Sequence, residues 1–324
     1  MNCNICECGA PLSNLGHECT NPFGVPAMDV FVPTLDSTGV ANGILKTQTL
    51  DKAYFDSMVN HADPTKRWYP TPQFKNVVDT RADAKFWEAD DQSVEFVSEA
   101  ARKFMAIITQ KSGTGATAPQ MKKQIDSARC SQGLSVFKFS EGRQILVKDS
   151  ADGLSVLPIE IDAQSVYAGF VKSTKDQNQH LVLSYNYATS ESDGDLKSIE
   201  CSEIDGYDIL TMRALLNACY VLKSQTVSTL KIQIVTGFGS AKNPNTVDGL
   251  VAADFKSSDS GTASRIYNQT DDADVTITSV TESPDGTYLL GFAAQTLGDV
   301  LVPYAEKTGY DFTCMKNNPI DVES

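Results

Sequence analysis

Positive charge, histidine and long apolar runs are what this sequence lacks. Lysine and arginine number 27 against 41 aspartates and glutamates, a formal net charge of −14. A surface of that sign repels phosphate, which argues against nucleic-acid binding driven by counterion release. Lys122-Lys123 is the nearest approach to a basic cluster, and two lysines do not make a groove. No apolar stretch approaches the roughly 18 residues that span a bilayer, so no membrane partner is expected. The opening Met1-Asn2-Cys3-Asn4-Ile5-Cys6 has neither a basic nor an apolar leader segment, so no secretory leader is expected. Eight cysteines without such a leader suggest a reducing cytoplasm, where disulfides are not the default. Histidine occurs only at 17, 61 and 180, and neither Gly-x-Ser-x-Gly nor His-Glu-x-x-His is present. The chain is therefore expected to have no catalytic residues.

What is present is β-strand pattern. A length of 324 residues favours about two domains, and a hydrophobic fraction of 41% suffices for ordinary cores. Between Val247 and Phe312, short β-branched and aromatic runs alternate in and out, with Asp285-Gly286 as a turn. That pattern predicts a small antiparallel sandwich. Upstream, strands are expected at Asp29–Pro33, within Ser93–Thr109, and at Leu134–Phe139, Gln144–Val147, Val156–Ile161 and His180–Tyr187. Asp36-Ser-Thr-Gly39 and Asn42-Gly43 read as turns, the second as a hairpin signal. Helices are expected from Asp51, with Tyr54, Phe55, Met58, Val59 and Ala62 on one face, and from Pro119 to Ala128. Pro64 marks the end of the first. A further short helix is expected over Ile209–Tyr220, with 221–230 as a connector. The fold class is mainly β (α+β). The expected divisions are an N-terminal cysteine-rich arm (1–24), a β domain with packed helices (25–230), a terminal sandwich (231–312) and a tail (313–324).

The chemistry candidates are few. Cys3-x2-Cys6 and His17-x-Cys19 flank a Gly/Pro-rich loop and offer four sulfur and nitrogen donors of the kind tetrahedral zinc takes, with Cys8 as a substitute. The alternative for that arm is free thiols or a local disulfide. Glu191, Asp193, Asp195 and Glu200 fall at calcium-loop ligand positions if Gly194 takes the sharp turn, but Thr189 sits where the first carboxylate belongs. A solvated tip is the plainer reading. Ser112–Ala116 and Gly237–Lys242 resemble phosphate loops without completing one. Asn268-Gln269-Thr270 is a formal glycosylation sequon, and Trp68, Tyr69, Phe74 and Trp87 form a candidate aromatic patch or interface.

Three strings carry a family resemblance: Phe31-Val-Pro-Thr-Leu-Asp-Ser-Thr-Gly-Val-Ala-Asn-Gly-Ile44, Ala62-Asp-Pro-Thr-Lys-Arg-Trp-Tyr-Pro70 and Phe74-Lys-Asn-Val-Val-Asp-Thr-Arg-Ala-Asp83. Together with the start ending at Cys19, the sequence resembles structural proteins of tailed phages that infect Bacteroidetes-type bacteria. It is most similar to major tail tube proteins with an immunoglobulin-like C-terminal domain. The resemblance covers most of residues 1–110 and 236–312. It implies a tail-tube-type β-sandwich or barrel domain whose copies form hexameric rings that stack into a tube. The lumen would pass DNA without sequence-specific binding, other tail proteins would be partners, and the location would be the virion, assembled in the host cytoplasm. Related expectations are a capsid decoration, baseplate or sheath protein, or a carbohydrate-binding phage protein.

Overall fold

The computed structural model describes residues 23–81, 83, 85–88, 93–98, 100, 102–109, 119–240 and 242–323. The protein is mainly β, with antiparallel sheets and few, short helices. It divides into two compact units, 1–214 and 215–324.

The first unit is a sandwich of two sheets. One sheet runs Ile44–Leu45, Ser155–Leu157, Ile145–Asp149, Leu134–Ser140, Pro26–Pro33, Tyr69–Pro70. Ile159–Ile161 also pairs with Leu134–Ser140, and Leu196–Ile199 with Ile145–Asp149. The other runs Tyr167–Val171, His180–Asn186, Arg102–Thr109, Phe74–Arg81. Phe31, Leu134, Val136 and Ile159 from the first sheet pack against Phe104, Ala106, Ile108, Leu181 and Leu183 from the second. These positions are two apart along each strand, as the pleat requires when one face is buried. Pro119–Ser127 is helical, as its spacing predicts, and sets Met121 and Ile125 against this core.

The first sheet is buried on both faces, so every residue of Leu134–Ser140 is inside. Its second face takes the helix Lys52–Val59, which Asp51 caps by accepting the Tyr54 N–H at 2.8 Å. Phe55, Val59 and Trp68 are the buried groups of that layer, and the Trp68 ring centroid lies 4.8 Å from that of Phe137. The Asp36 turn forms as expected. The Asp36 carboxylate accepts the N–H groups of Thr38 and Val40 at 2.8 and 2.9 Å, and Gly39 takes a φ of +83°. Asn42-Gly43 is no hairpin turn, because neither residue has positive φ. Asn42 is buried instead, and its Nδ2 donates to the carbonyls of Pro33 and Thr65, each at 2.7 Å. A Cβ on Gly43 would come 2.7 Å from the Val156 carbonyl oxygen, so close backbone approach is what glycine permits there.

The second unit corrects three expectations. Ile209–Tyr220 is not a helix: only Ile209–Thr211 forms a 3₁₀ turn, and Leu216–Thr226 is an eleven-residue strand. Cys219, Val221 and Thr226 are poor helix formers, and the strand pairs along its length with Thr229–Gly239 through a turn at Val227-Ser228. Residues 221–230 are therefore the heart of a hairpin rather than a connector, and the unit begins at 215. Nor are the last residues a tail. Thr313–Lys316 is helical, Ile320–Asp321 pairs with Val300–Val302, and Met315, Ile320 and Val322 are buried. The sandwich turns on one long strand, Ala273–Ser283. Its first half pairs with Arg265–Asn268, its second with Thr287–Phe292, and the register shifts between Ile277 and Ser279. A strand that serves two sheets in this way closes a core of Leu230, Ile232, Ile266, Tyr288, Leu290 and Leu301.

Disulfides are present, against the expectation of reduced thiols. Cys219 and Cys314 are bonded across a sequence separation of 95, and Cys201 is also disulfide-bonded, whereas Cys130 is an exposed free thiol. The Cys219–Cys314 bond ties the closing helix to the first strand of the unit. Replacing both cysteines by alanine is expected to lower the stability of the second unit by about 2–4 kcal/mol, read as a shift in urea midpoint.

Candidate functional site

A buried ionic network lies between the two sheets of the first unit. Asp29 and Lys138 are opposite residues in the antiparallel pair Pro26–Pro33 and Leu134–Ser140. Both point toward the second sheet, and both are 0% exposed. Lys138 Nζ lies 3.4 Å from Asp29 Oδ1, 3.9 Å from Asp79 Oδ2 and 3.2 Å from the Phe104 ring centroid. Tyr185 donates its hydroxyl to Asp29 Oδ2 at 2.5 Å, and Tyr187 donates to Asp79 Oδ2 at 2.8 Å. Arg102 clamps Asp79 through Nε at 2.8 Å and Nη2 at 3.1 Å, then reaches Asp193 through Nη1 at 2.7 Å. Arg81 Nη2 completes the chain, 3.2 Å from Asp193 Oδ2. Three carboxylates thus face three cations, and the network runs from the sealed core to the surface.

The backbone holds Asp29 in place. Its N–H donates to Thr71 Oγ1 at 3.1 Å, and the same hydroxyl donates back to the Asp29 carbonyl at 3.0 Å. Burial pushes the Asp29 carboxyl above its ordinary range, with Lys138 and the Tyr185 hydroxyl opposing it. Burial also pulls the Lys138 ammonium below its ordinary range, opposed by the charges of Asp29 and Asp79. Tyr185 and Tyr187 are both driven well up, first by burial and then by the carboxylates beside them. No solvent-borne substrate reaches Lys138 or Asp29, since neither has exposed area. The chemistry open to them is with each other.

A second feature lies at the surface. Among the described residues, Lys85–Glu88 and Val94–Ser98 pair with each other as a two-stranded ribbon. In sequence it lies between the paired strands Phe74–Arg81 and Arg102–Thr109, which meet at Arg81 and Arg102. Phe86, Trp87, Val94 and Val97 are 61%, 55%, 61% and 58% exposed. An isolated two-stranded ribbon is marginally stable in water, and one this apolar has area to bury.

The sequence candidates fare differently. Cys3, Cys6, Cys8, His17, Cys19 and the loop 112–116 lie outside the described residues. Glu191, Asp193 and Glu200 take separate partners. Glu191 accepts the Glu160 N–H at 2.9 Å and pairs with Lys148, Asp193 meets the two arginines, and Glu200 accepts from Gln144 at 3.1 Å. Asp193–Asp195 is a 3₁₀ turn rather than a calcium loop, and no group of three or more metal-ligating side chains occurs among the described residues. His180 sits beside the Asn178 carbonyl at 2.9 Å, and His61 Nδ1 accepts the Asp63 N–H at 3.1 Å. Asn268 is buried, and its Nδ2 donates to Asp271, Gln295 and Asp299, so the sequon is closed to a glycan in the folded unit. Trp68 is core, whereas Trp87 is surface. A shallow depression of about 460 Å³ in the second unit is lined by Leu216, Thr236, Thr246, Tyr310 and the segment 243–245, with no carboxylate, histidine or cysteine among them.

Sequence reasoning missed the ionic network. Its signal was an aspartate inside Met28-Asp29-Val30-Phe31 and a lysine inside Phe137-Lys138-Phe139, charges at the centres of otherwise apolar strands. The chain matches no protein-family model, no curated protein and no solved structure.

Proposed function

We propose that the chain is a structural, self-assembling virion protein: a phage tail tube subunit that stacks in rings around a DNA conduit, without catalysis. The observation that supports it best is the apolar ribbon of Lys85–Glu88 and Val94–Ser98, a surface that a second copy of this chain would cover. The four-stranded sheet of the first unit adds a second such surface. Its outer face carries Val78, Met105, Ile107 and Tyr167 with Lys75 and Lys103, and the one carboxylate on its strands, Asp79, points inward. Carboxylates that keep DNA from adhering to a bore would then come from other strands or loops.

Negative-stain microscopy at rising protein concentration tests the reading. Uniform rings or hollow tubes are expected. Particles that stay monomeric throughout would overturn self-assembly and favour a decoration protein that needs a capsid surface. Trp87→Asp is expected to abolish the assemblies while changing monomer stability by no more than about 0.5 kcal/mol, because the side chain is already in water. Sedimentation velocity and urea denaturation measure the two effects separately.

A further inference from the structure

We propose that the first unit closes an intramolecular amide bond between Lys138 Nζ and the Asp29 side-chain carboxyl, with Asp79 moving the proton. The inference stands on the geometry of the network and not on the proposed assembly.

Nucleophile and electrophile are already in place. Asp29 and Lys138 are opposite each other across one strand pair, 109 residues apart in sequence, with Nζ 3.4 Å from Oδ1. Intramolecular groups brought from such contact into aligned attack geometry reach effective molarities of about 10⁵–10⁸ M. Aromatic rings enclose them. Nζ lies 3.2 Å from the Phe104 centroid, 5.3 Å from that of Tyr185 and 5.4 Å from that of Tyr187. Complete burial of both groups favours the neutral amine and the neutral acid, which are the reacting forms. The directions in which burial drives Lys138 and Asp29 agree with this.

Asp79 supplies what an ordinary buried ion pair does not need: a second carboxylate, with Oδ2 3.9 Å from Nζ and fixed by Arg102 and Tyr187. The step balances without an oxidant or reductant. A proton passes from the Lys138 ammonium to the Asp29 carboxylate, leaving amine and carboxylic acid. The Nζ lone pair attacks Asp29 Cγ. Negative charge develops on Oδ2, where the Tyr185 hydroxyl already donates at 2.5 Å. Asp79 accepts a proton from Nζ and returns it to the Oδ1 hydroxyl, which leaves as water. One ammonium and one carboxylate become one amide and one water. The product is a covalent staple between Pro26–Pro33 and Leu134–Ser140 at the centre of the sandwich.

The test is mass spectrometry of the full chain, denatured and fully reduced after incubation at mildly alkaline pH. The expected mass is that of the reduced sequence less one water. Proteolysis should then yield the peptide bearing Asp29 joined to the peptide bearing Lys138. Dehydration of an aspartate to a cyclic imide also removes water but leaves both peptides linear, so the joined species decides. Lys138→Arg should restore the full mass, a readout that does not require the variant to fold. Asp79→Asn should slow closure about 100-fold or more if the variant keeps its circular dichroism, the usual contribution of a proton-transfer group. A wild-type chain that keeps the full reduced mass, with both peptides linear, overturns the proposal. Asp79→Asn closing at the wild-type rate overturns the role given to Asp79.

Discussion

Replacing Lys138 by Met is expected to destabilise the first unit by about 3–5 kcal/mol, the cost of removing one member of a buried ion pair and leaving the other unpaired. Methionine fills much of the lysine's volume, so packing loss is small. The cost comes from Asp29, which keeps a carboxyl with no exposed area and no adjacent cation. Adding Asp29→Asn removes the orphaned charge, and the double variant should recover the part of the loss that the carboxylate caused. Any amide between the two side chains is absent from both variants. Its contribution therefore falls within the deficit that the double variant does not recover, together with the lost packing and hydrogen bonds of the pair. Urea midpoints of wild type, both single variants and the double variant give these quantities, provided the m-values agree.

The pH dependence of Lys138→Met has a definite sign. Burial raises the Asp29 carboxyl from its ordinary 3.8, and loss of the lysine removes an influence that lowered it. The folded variant therefore holds a proton where the unfolded chain has released it. Stability is fully present below about pH 4 and is lost as pH rises through the raised folded value. The variant should thus be less stable at neutral than at mildly acid pH. Asp29→Asn alone has the opposite slope. Lys138 is pulled below its ordinary value, so the unfolded chain binds the proton more readily and stability increases as pH rises. Urea titrations at mildly acid and mildly alkaline pH separate the two signs.

The strands that alternate were legible from the sequence, as was the helix at Lys52–Val59, because one-sided burial writes a period into the chain. Leu134–Ser140 was legible as a strand but not as a site. Both its faces are buried, so its lysine breaks no alternation. The same cause hid Asp29, whose partner is 109 residues away. Leu216–Thr226 was misread because Leu210, Leu215 and Leu216 suggest a helix, and only pairing with Thr229–Gly239 fixes the strand. The closing segment was misread because its anchor is a disulfide to Cys219, which no local pattern announces. The ribbon was legible only as a mixed strand and turn region. That Trp87 and Val97 are exposed on it is set by tertiary packing, which no local pattern records.

Trp68→Ala should be as damaging as loss of the lysine, about 3–5 kcal/mol, for a different reason. Trp68 joins a helix too short to persist alone to the outer face of the first sheet. Its ring contacts those of Phe137, Phe55 and Tyr54 at centroid distances of 4.8, 5.9 and 6.0 Å, while its backbone N–H, which the substitution keeps, donates to the Met58 carbonyl at 3.0 Å. Truncation leaves a cavity between two layers that the intact backbone hydrogen bonds keep from collapsing. The amides of Lys52–Val59 should lose hydrogen-exchange protection first, since tertiary packing is what holds that helix. The chain has only one other tryptophan, Trp87, so the contrast can be read in a single fluorescence titration. Trp68→Ala removes the buried, blue-shifted emitter and lowers the midpoint. Trp87→Ala removes the exposed emitter, leaves the midpoint in place and acts on assembly instead. A Trp87→Ala midpoint as low as that of Trp68→Ala would mean that the ribbon is part of the monomer's own core, and the case for a second copy covering it would fall.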